Sequence, residues 1–224
     1  FGHPMAEALA AGIPILAAYA AFHDWDGLFW YSLAHQDVAT LEAKVGGHFD
    51  LAMDPVKMSQ LPAGALMFLR GDVRPAKQII TRTYTREQVR ESIRLSYKDR
   101  PYFTPGFPLD LPLRHASRIA SFDGPATGGF TREDATPLRT DTGELTWSAG
   151  APATGLVTVD TERSQAVVGF VGASRPRLKN LSVETRTPFC AITLSALDDQ
   201  PVARANRVLV TATARMANSE MVWN

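Results

Sequence analysis

The chain lacks most of the features that would make its chemistry easy to name. Of its 224 residues only Cys190 is a cysteine, which excludes an internal disulfide framework and any cysteine-based zinc site. It has no excess of either charge: Lys+Arg and Asp+Glu both total 23, for a formal net charge of zero. That balance gives no electrostatic reason to expect nucleic acid or an anionic membrane as a partner. The longest apolar run, Ala8 to Phe22, is interrupted by Gly12 and Pro14. It is too short to span a bilayer and has no basic flank of the kind a signal peptide carries. Phosphate-binding, dinucleotide-binding and zinc-ligand spacings do not occur, so no cofactor and no metal is expected. What the chain does have is 45% hydrophobic residues, ample for a packed core.

The two halves differ in grammar. The first hundred residues read as helix, strand, helix. Pro4 and the Ala-rich run to Phe22 predict a helix, kinked or split at Gly12-Ile13-Pro14. Gly27 to Leu33 is a short continuous apolar run, the pattern of a strand buried on both faces of a parallel sheet. Asp54-Pro55 is an N-cap followed by proline at the first helical position, opening a helix towards Arg70 with a disturbance at Pro62. Lys77 to Tyr84 is a strand candidate, and Thr85 with Gln88 forms a capping box for the next helix. After Pro101 the chain becomes proline-rich and then breaks into short strands: 144–148, 155–160, 165–171, 178–184, 189–197 and 207–215. In the last two the residues alternate, Cys190, Ile192 and Leu194 against Ala191, Thr193 and Ser195. Short strands at this spacing suggest an antiparallel β-sandwich. The organisation expected is 1–100, 101–136 as a linker, and 137–224.

One helix–strand–helix unit cannot close a parallel sheet, which needs covered faces and parallel neighbours. The first half therefore reads as the last part of a larger α/β domain. The opening on Phe1 and the close on "MVWN" fit a chain cut at both ends.

Particular residues support a family reading. The stretch "GHPMAEALAAGIPILAAYAAFHDWDGLFWYSLAH", then "FDLAMDPVKMSQLPAGALMFLRGDVRPAK", and later "RTDTGELTW", "GLVTVDTERSQAVVGF" and "RVLVTATARMANSEMVWN" resemble, in order, the barrel end and following β-domain of bacterial clan-A glycoside hydrolases. The resemblance covers most of the chain outside roughly 99–136. It implies the last strand-helix units of a (β/α)₈ TIM barrel followed by a β-sandwich, and retaining hydrolysis of a β-linked plant-type or bacterial oligo- or polysaccharide. In that mechanism one carboxylate attacks the anomeric carbon while another protonates the leaving oxygen, with the carboxyls about 5 Å apart. Mapped on the family pattern, both catalytic glutamates fall upstream of Phe1, so this chain has no catalytic residue of its own. A carbohydrate is the expected partner, and a periplasmic or extracellular location follows from the family's usual substrates.

The residues the resemblance brings to the sugar are His3, Trp30, Tyr31 and His35. Rings suit the apolar C–H face of a pyranose, and histidine and tyrosine can hydrogen-bond its hydroxyls. Adjacent strand residues face opposite sides, so only one of Trp30 and Tyr31 can face the substrate; a phenol's need for a polar partner favours Tyr31. His35 divides evenly between substrate contact and loop structure. Seen alone, His3 would be a helix-start histidine. Trp25 and Phe29 read as core, Asp24 and Asp26 as turn and cap residues, His23 and His48 as solvated or capping. The alternative is a non-catalytic β-sandwich carbohydrate-binding or interaction module, with Trp147, Phe170 and Trp223 as its surface rings; a flat, exposed pair of them would favour it.

Overall fold

A computed structural model of the chain describes residues 3–35, 37, 49–94, 107–108, 110–131, 135–148, 151 and 154–215. The first helix, α1 (His3–Phe22), runs without a break through Gly12 and Pro14. Proline at position 14 cannot donate to the Ala10 carbonyl, four residues earlier, and that orphan acceptor would weaken a buried helix. Here Gln60 Nε2 donates to Ala10 O at 2.8 Å, so the second helix repairs the first. That helix, α2 (Pro55–Leu69), starts on the expected Asp54 cap and also continues through its internal Pro62. The two helices lie so close at Gly64 that a Cβ there would stand 2.8 Å from Ile13 Cγ2.

Next come β1 (Ile79–Thr83), α3 (Arg86–Arg94), the single turn α4 (Leu111–Arg114) and β2 (Ala116–Ser121). The capping box at the start of α3 is formed in both directions: Thr85 N donates to Gln88 Oε1 at 3.0 Å and Gln88 N to Thr85 Oγ1 at 3.1 Å. Strands β1 and β2 pair in parallel, although Ala116–Ser121 lies in the stretch read as a linker.

The remaining strands are β3 (Leu138–Arg139), β4 (Leu145–Ser148), β5 (Leu156–Asp160), β6 (Ser164–Gly169), β7 (Cys190–Ala196) and β8 (Val208–Ala214). They form one antiparallel sheet of six strands in the order β3-β4-β5-β6-β7-β8. Its inner face carries Leu145, Val157, Val159, Ala166, Val168 and Ala191, which pack in one core with Ala10, Ala17, Phe22, Val56 and Met67 of the two helices. The other face turns Val167 and Cys190 onto Val171 and Val183, with Leu178, Leu181 and Ile192 at the margin. Both faces of β6 and β7 are therefore covered, one by helices and one by the 171–183 segment.

Several fold expectations are overturned. The described residues contain four α-helices and two sheets, one of two parallel and one of six antiparallel strands, with no helix–strand repeat of a TIM barrel. The 27–33 segment is no buried strand: it joins no sheet, and Phe29 is 98% exposed, with Tyr31 and Leu33 also open. A continuous apolar run shows only that a strand is possible. A strand also needs a neighbour for its N–H and C=O groups, and no described strand lies beside this one. Of the expected β-sandwich the described residues show one six-stranded antiparallel sheet. Residues 178–184, read as a strand, contribute one isolated bridge, Arg177 to Ser182, and their apolar side chains cap the sheet instead of extending it.

Candidate functional site

The site is built where the chain leaves α1 and where it enters α2. At the end of α1 the backbone closes with His23 N donating to Tyr19 O at 2.8 Å and Trp25 N to Ala20 O at 3.0 Å. Asp24 takes the left-handed conformation, φ 55°, that ends many helices and that aspartate tolerates better than most residues. From there residues 25–35 run as an irregular segment with several bends, and residues 49–54 return alongside its end. Leu51 N donates to Ser32 O at 3.0 Å and Ala52 N to Leu33 O at 2.8 Å, while Trp30 Nε1 donates to Phe49 O at 2.9 Å.

These bonds bring a histidine onto a carboxylate. His35 Nδ1 and Asp50 Oδ1 form a short charge-assisted contact, and Ser32 Oγ donates to the same oxygen at 3.2 Å. The bond from His35, foremost, holds the Asp50 carboxyl below its ordinary range; burial opposes it and the Ser32 bond assists. A carboxylate can only accept, so Nδ1 carries the proton of the neutral ring. Nε2 is then an acceptor, and no described residue bonds it. The Tyr31 ring meets His35 edge-on at 5.2 Å and Phe49 at 6.2 Å, and all three rings are exposed.

Serine, histidine and aspartate together invite comparison with a hydrolytic triad, but the geometry is wrong. Ser32 Oγ lies 3.3 Å from His35 Nδ1, the nitrogen that Asp50 already holds. A serine nucleophile needs the other nitrogen as its base.

Of the residues named from sequence, Tyr31 and His35 come together on this ledge. Trp30 turns the other way: a Cβ on Gly12 would sit 3.3 Å from its Cη2. Its ring lines a largely apolar cleft of about 330 Å³ with Ile13, Leu16, Leu61 and Phe68. His3 lies in the first turn of α1, with its side chain outside the described residues. Trp25 and Phe29, read as core, are exposed. His23, read as solvated or capping, is buried, with Nε2 2.9 Å from Pro112 O; His48 lies outside the described residues. Asp24 and Asp26 are both exposed. The reading missed Asp50, Phe49 and Ser32. Only the chain reversal joins Asp50 to His35, fifteen positions apart, and no local spacing signals it.

Comparison with protein-family models, with curated proteins and with solved structures finds no match.

Proposed function

We propose that residues 31–35 and 49–50 form a carbohydrate-contacting ledge, and that the chain serves a retaining β-glycoside hydrolase by holding substrate. The observation that carries this reading is the placement of His35, with Nδ1 against Asp50 and the ring beside Tyr31. With Asp50 on Nδ1, the ring presents Nε2 as an acceptor beside two exposed aromatic faces, Tyr31 and Phe49. A pyranose has the complementary pattern: a C–H face for a ring, and hydroxyls that donate to an imidazole and exchange bonds with a phenol. The ordered resemblance to clan-A glycoside hydrolases supports the reaction class. It assigns the two carboxylates of the double displacement to residues outside these 224, and a periplasmic or extracellular setting to the substrate.

The binding-module alternative finds less support. Trp147 is half-buried and tilts against Tyr19 at 6.4 Å, and Phe170 meets Phe189 edge-on at 5.1 Å. Neither arrangement is a flat, open platform, and Trp223 lies outside the described residues.

Titration of the chain with β-linked gluco-, galacto- and manno-oligosaccharides, followed by calorimetry and by the Tyr31 and His35 resonances, tests the ledge. His35→Ala and Tyr31→Phe should each weaken binding by about 1 kcal/mol, the net worth of one hydrogen bond, or roughly fivefold. Aryl β-glycosides should stay intact. Unchanged affinity in both variants overturns the ledge. Turnover abolished by Asp24→Asn or Asp26→Asn would move the chemistry to that pair.

A further inference from the structure

Beneath the ledge lies a charge that its surface chemistry does not use. The Lys57 side chain is 0% exposed and its partner Asp54 1%, with Nζ 3.2 Å from Asp54 Oδ2. Lys57 Nζ also donates to the backbone carbonyl of Asp50 at 2.9 Å. Asp54 in turn caps α2, its Oδ1 accepting from Val56 N at 3.0 Å and Lys57 N at 3.1 Å. A buried ion pair is a poor device for stability alone, since apolar residues of similar volume often serve as well or better. What this pair adds is an anchor. It fastens the Asp50 backbone to the first turn of a helix, while the Asp50 side chain holds His35.

We propose that Lys57 is a positioning residue for the ledge: by clamping the Asp50 carbonyl to the N-cap of α2, it sets the carboxylate that keeps the proton of neutral His35 on Nδ1 and leaves Nε2 to accept from the ligand. The value of that arrangement to a sugar rests on the function proposed above; the clamp itself does not. A free imidazole prefers its proton on Nε2. The Nδ1–H form is therefore a signature of the clamp, and a residue that only filled space would not move it.

The test is nitrogen-15 NMR of the His35 ring in the full chain, at about pH 9, well above the ordinary imidazole range. The wild type should show Nδ1–H. Lys57→Met, and the double variant Asp54→Ser with Lys57→Met, which keeps a capping hydroxyl and removes both buried charges, should move the proton predominantly to Nε2. They should also lose affinity for whichever β-linked oligosaccharide the wild type binds. A folded variant that retains Nδ1–H overturns the proposal. If neither variant folds, coupling is read from the other end, because it must be reciprocal. His35→Ala, a change at an exposed side chain, should shift the Lys57 ammonium resonance, and an unmoved resonance overturns the clamp. Loss of the Nδ1–H form in a chain that binds no oligosaccharide would leave the clamp standing and remove the sugar reading.

Discussion

His23 and His35 show how little a histidine's sequence context says about its state. Both follow apolar runs. One ends buried against the Pro112 carbonyl and the other exposed on a carboxylate. Burial, foremost, pushes the His23 pKa below its ordinary 6.5, and the Arg118 guanidinium adds to the effect, while the Pro112 carbonyl opposes it. Folding therefore favours the neutral ring. That contribution is complete above pH 6.5 and declines as pH falls below it, because the unfolded chain then binds the proton more readily. Three carboxyls act lower on the scale. The His35 bond chiefly depresses Asp50, and the Asn206 N–H chiefly depresses Asp198. Burial would raise Asp141, but the His115 ring and the Lys77 and Gln78 N–H groups hold it below the usual value of 3.8. Their stabilisation is present above that value and is lost as pH falls through the depressed folded values. Urea denaturation should show stability lower at pH 5 than at pH 8, and a further fall below pH 4. His23→Gln should flatten the upper step and leave the lower one; a profile flat between pH 8 and 5 in the wild type would contradict this assignment. Caps such as Asp54 and Thr85 were legible in sequence because their bonds reach two or three residues. The His35–Asp50 and His23–Pro112 pairs were not, because tertiary structure alone brings them together.

At the scale of elements, β4 to β8 were read within a residue or two, since their alternation or flanking turns are local properties. What covered them was not legible. Helix α1 is apolar nearly all round, so its pattern names no preferred face, and its continuity across Pro14 depends on Gln60, a residue of another helix. A second polar tie fixes α2 to the sheet. Arg70 grips Asp72 through two bonds, Nε at 2.7 Å and Nη2 at 2.5 Å, and sends Nη1 to Ala196 O of β7 at 2.6 Å. Asp72, its side chain 1% exposed, also accepts from Ser164 Oγ of β6 at 2.6 Å. Removing Asp72 leaves Arg70, partly exposed and still bonded to Ala196 O, and strips Ser164 Oγ of an acceptor, a loss of about 1–3 kcal/mol. Asp72→Ala should therefore lower stability by about that much, read by chemical denaturation. A loss under 1 kcal/mol would mean that water replaces the carboxylate, and that α2 is held by its apolar contacts alone.

For the whole molecule, the barrel expectation rested on the family resemblance and on reading residues 27–33 as a buried strand. Residues 27–33 show the error, because an apolar run becomes a strand only where a ladder of backbone bonds runs along it, and here the 49–54 segment bonds only its end. The parallel pair β1–β2 was half-legible: β1 stood out, while its partner Ala116–Ser121 sits in a stretch whose prolines and polar residues mask it. The exposed rings of Phe29 and Tyr31 are residues that a buried strand would have hidden, so their exposure corrects the fold, and that of Tyr31 also makes the ledge.

The consecutive order of the large sheet also bears on time. Each strand from β3 to β8 pairs with the one beside it in sequence, so the sheet can grow pair by pair across connections far shorter than the span to α1, which meets β6 and β7 across most of the chain. Closing a long loop costs more entropy before any contact repays it, and contacts between sequence neighbours form sooner. On refolding, β5, β6 and β7 should gain amide protection before α1 does, in pulse-labelled hydrogen exchange; simultaneous protection would point to a nucleus that already includes the helix. The sheet is then the early template, and the ledge, carried on the helices, is the last part of the molecule to take shape.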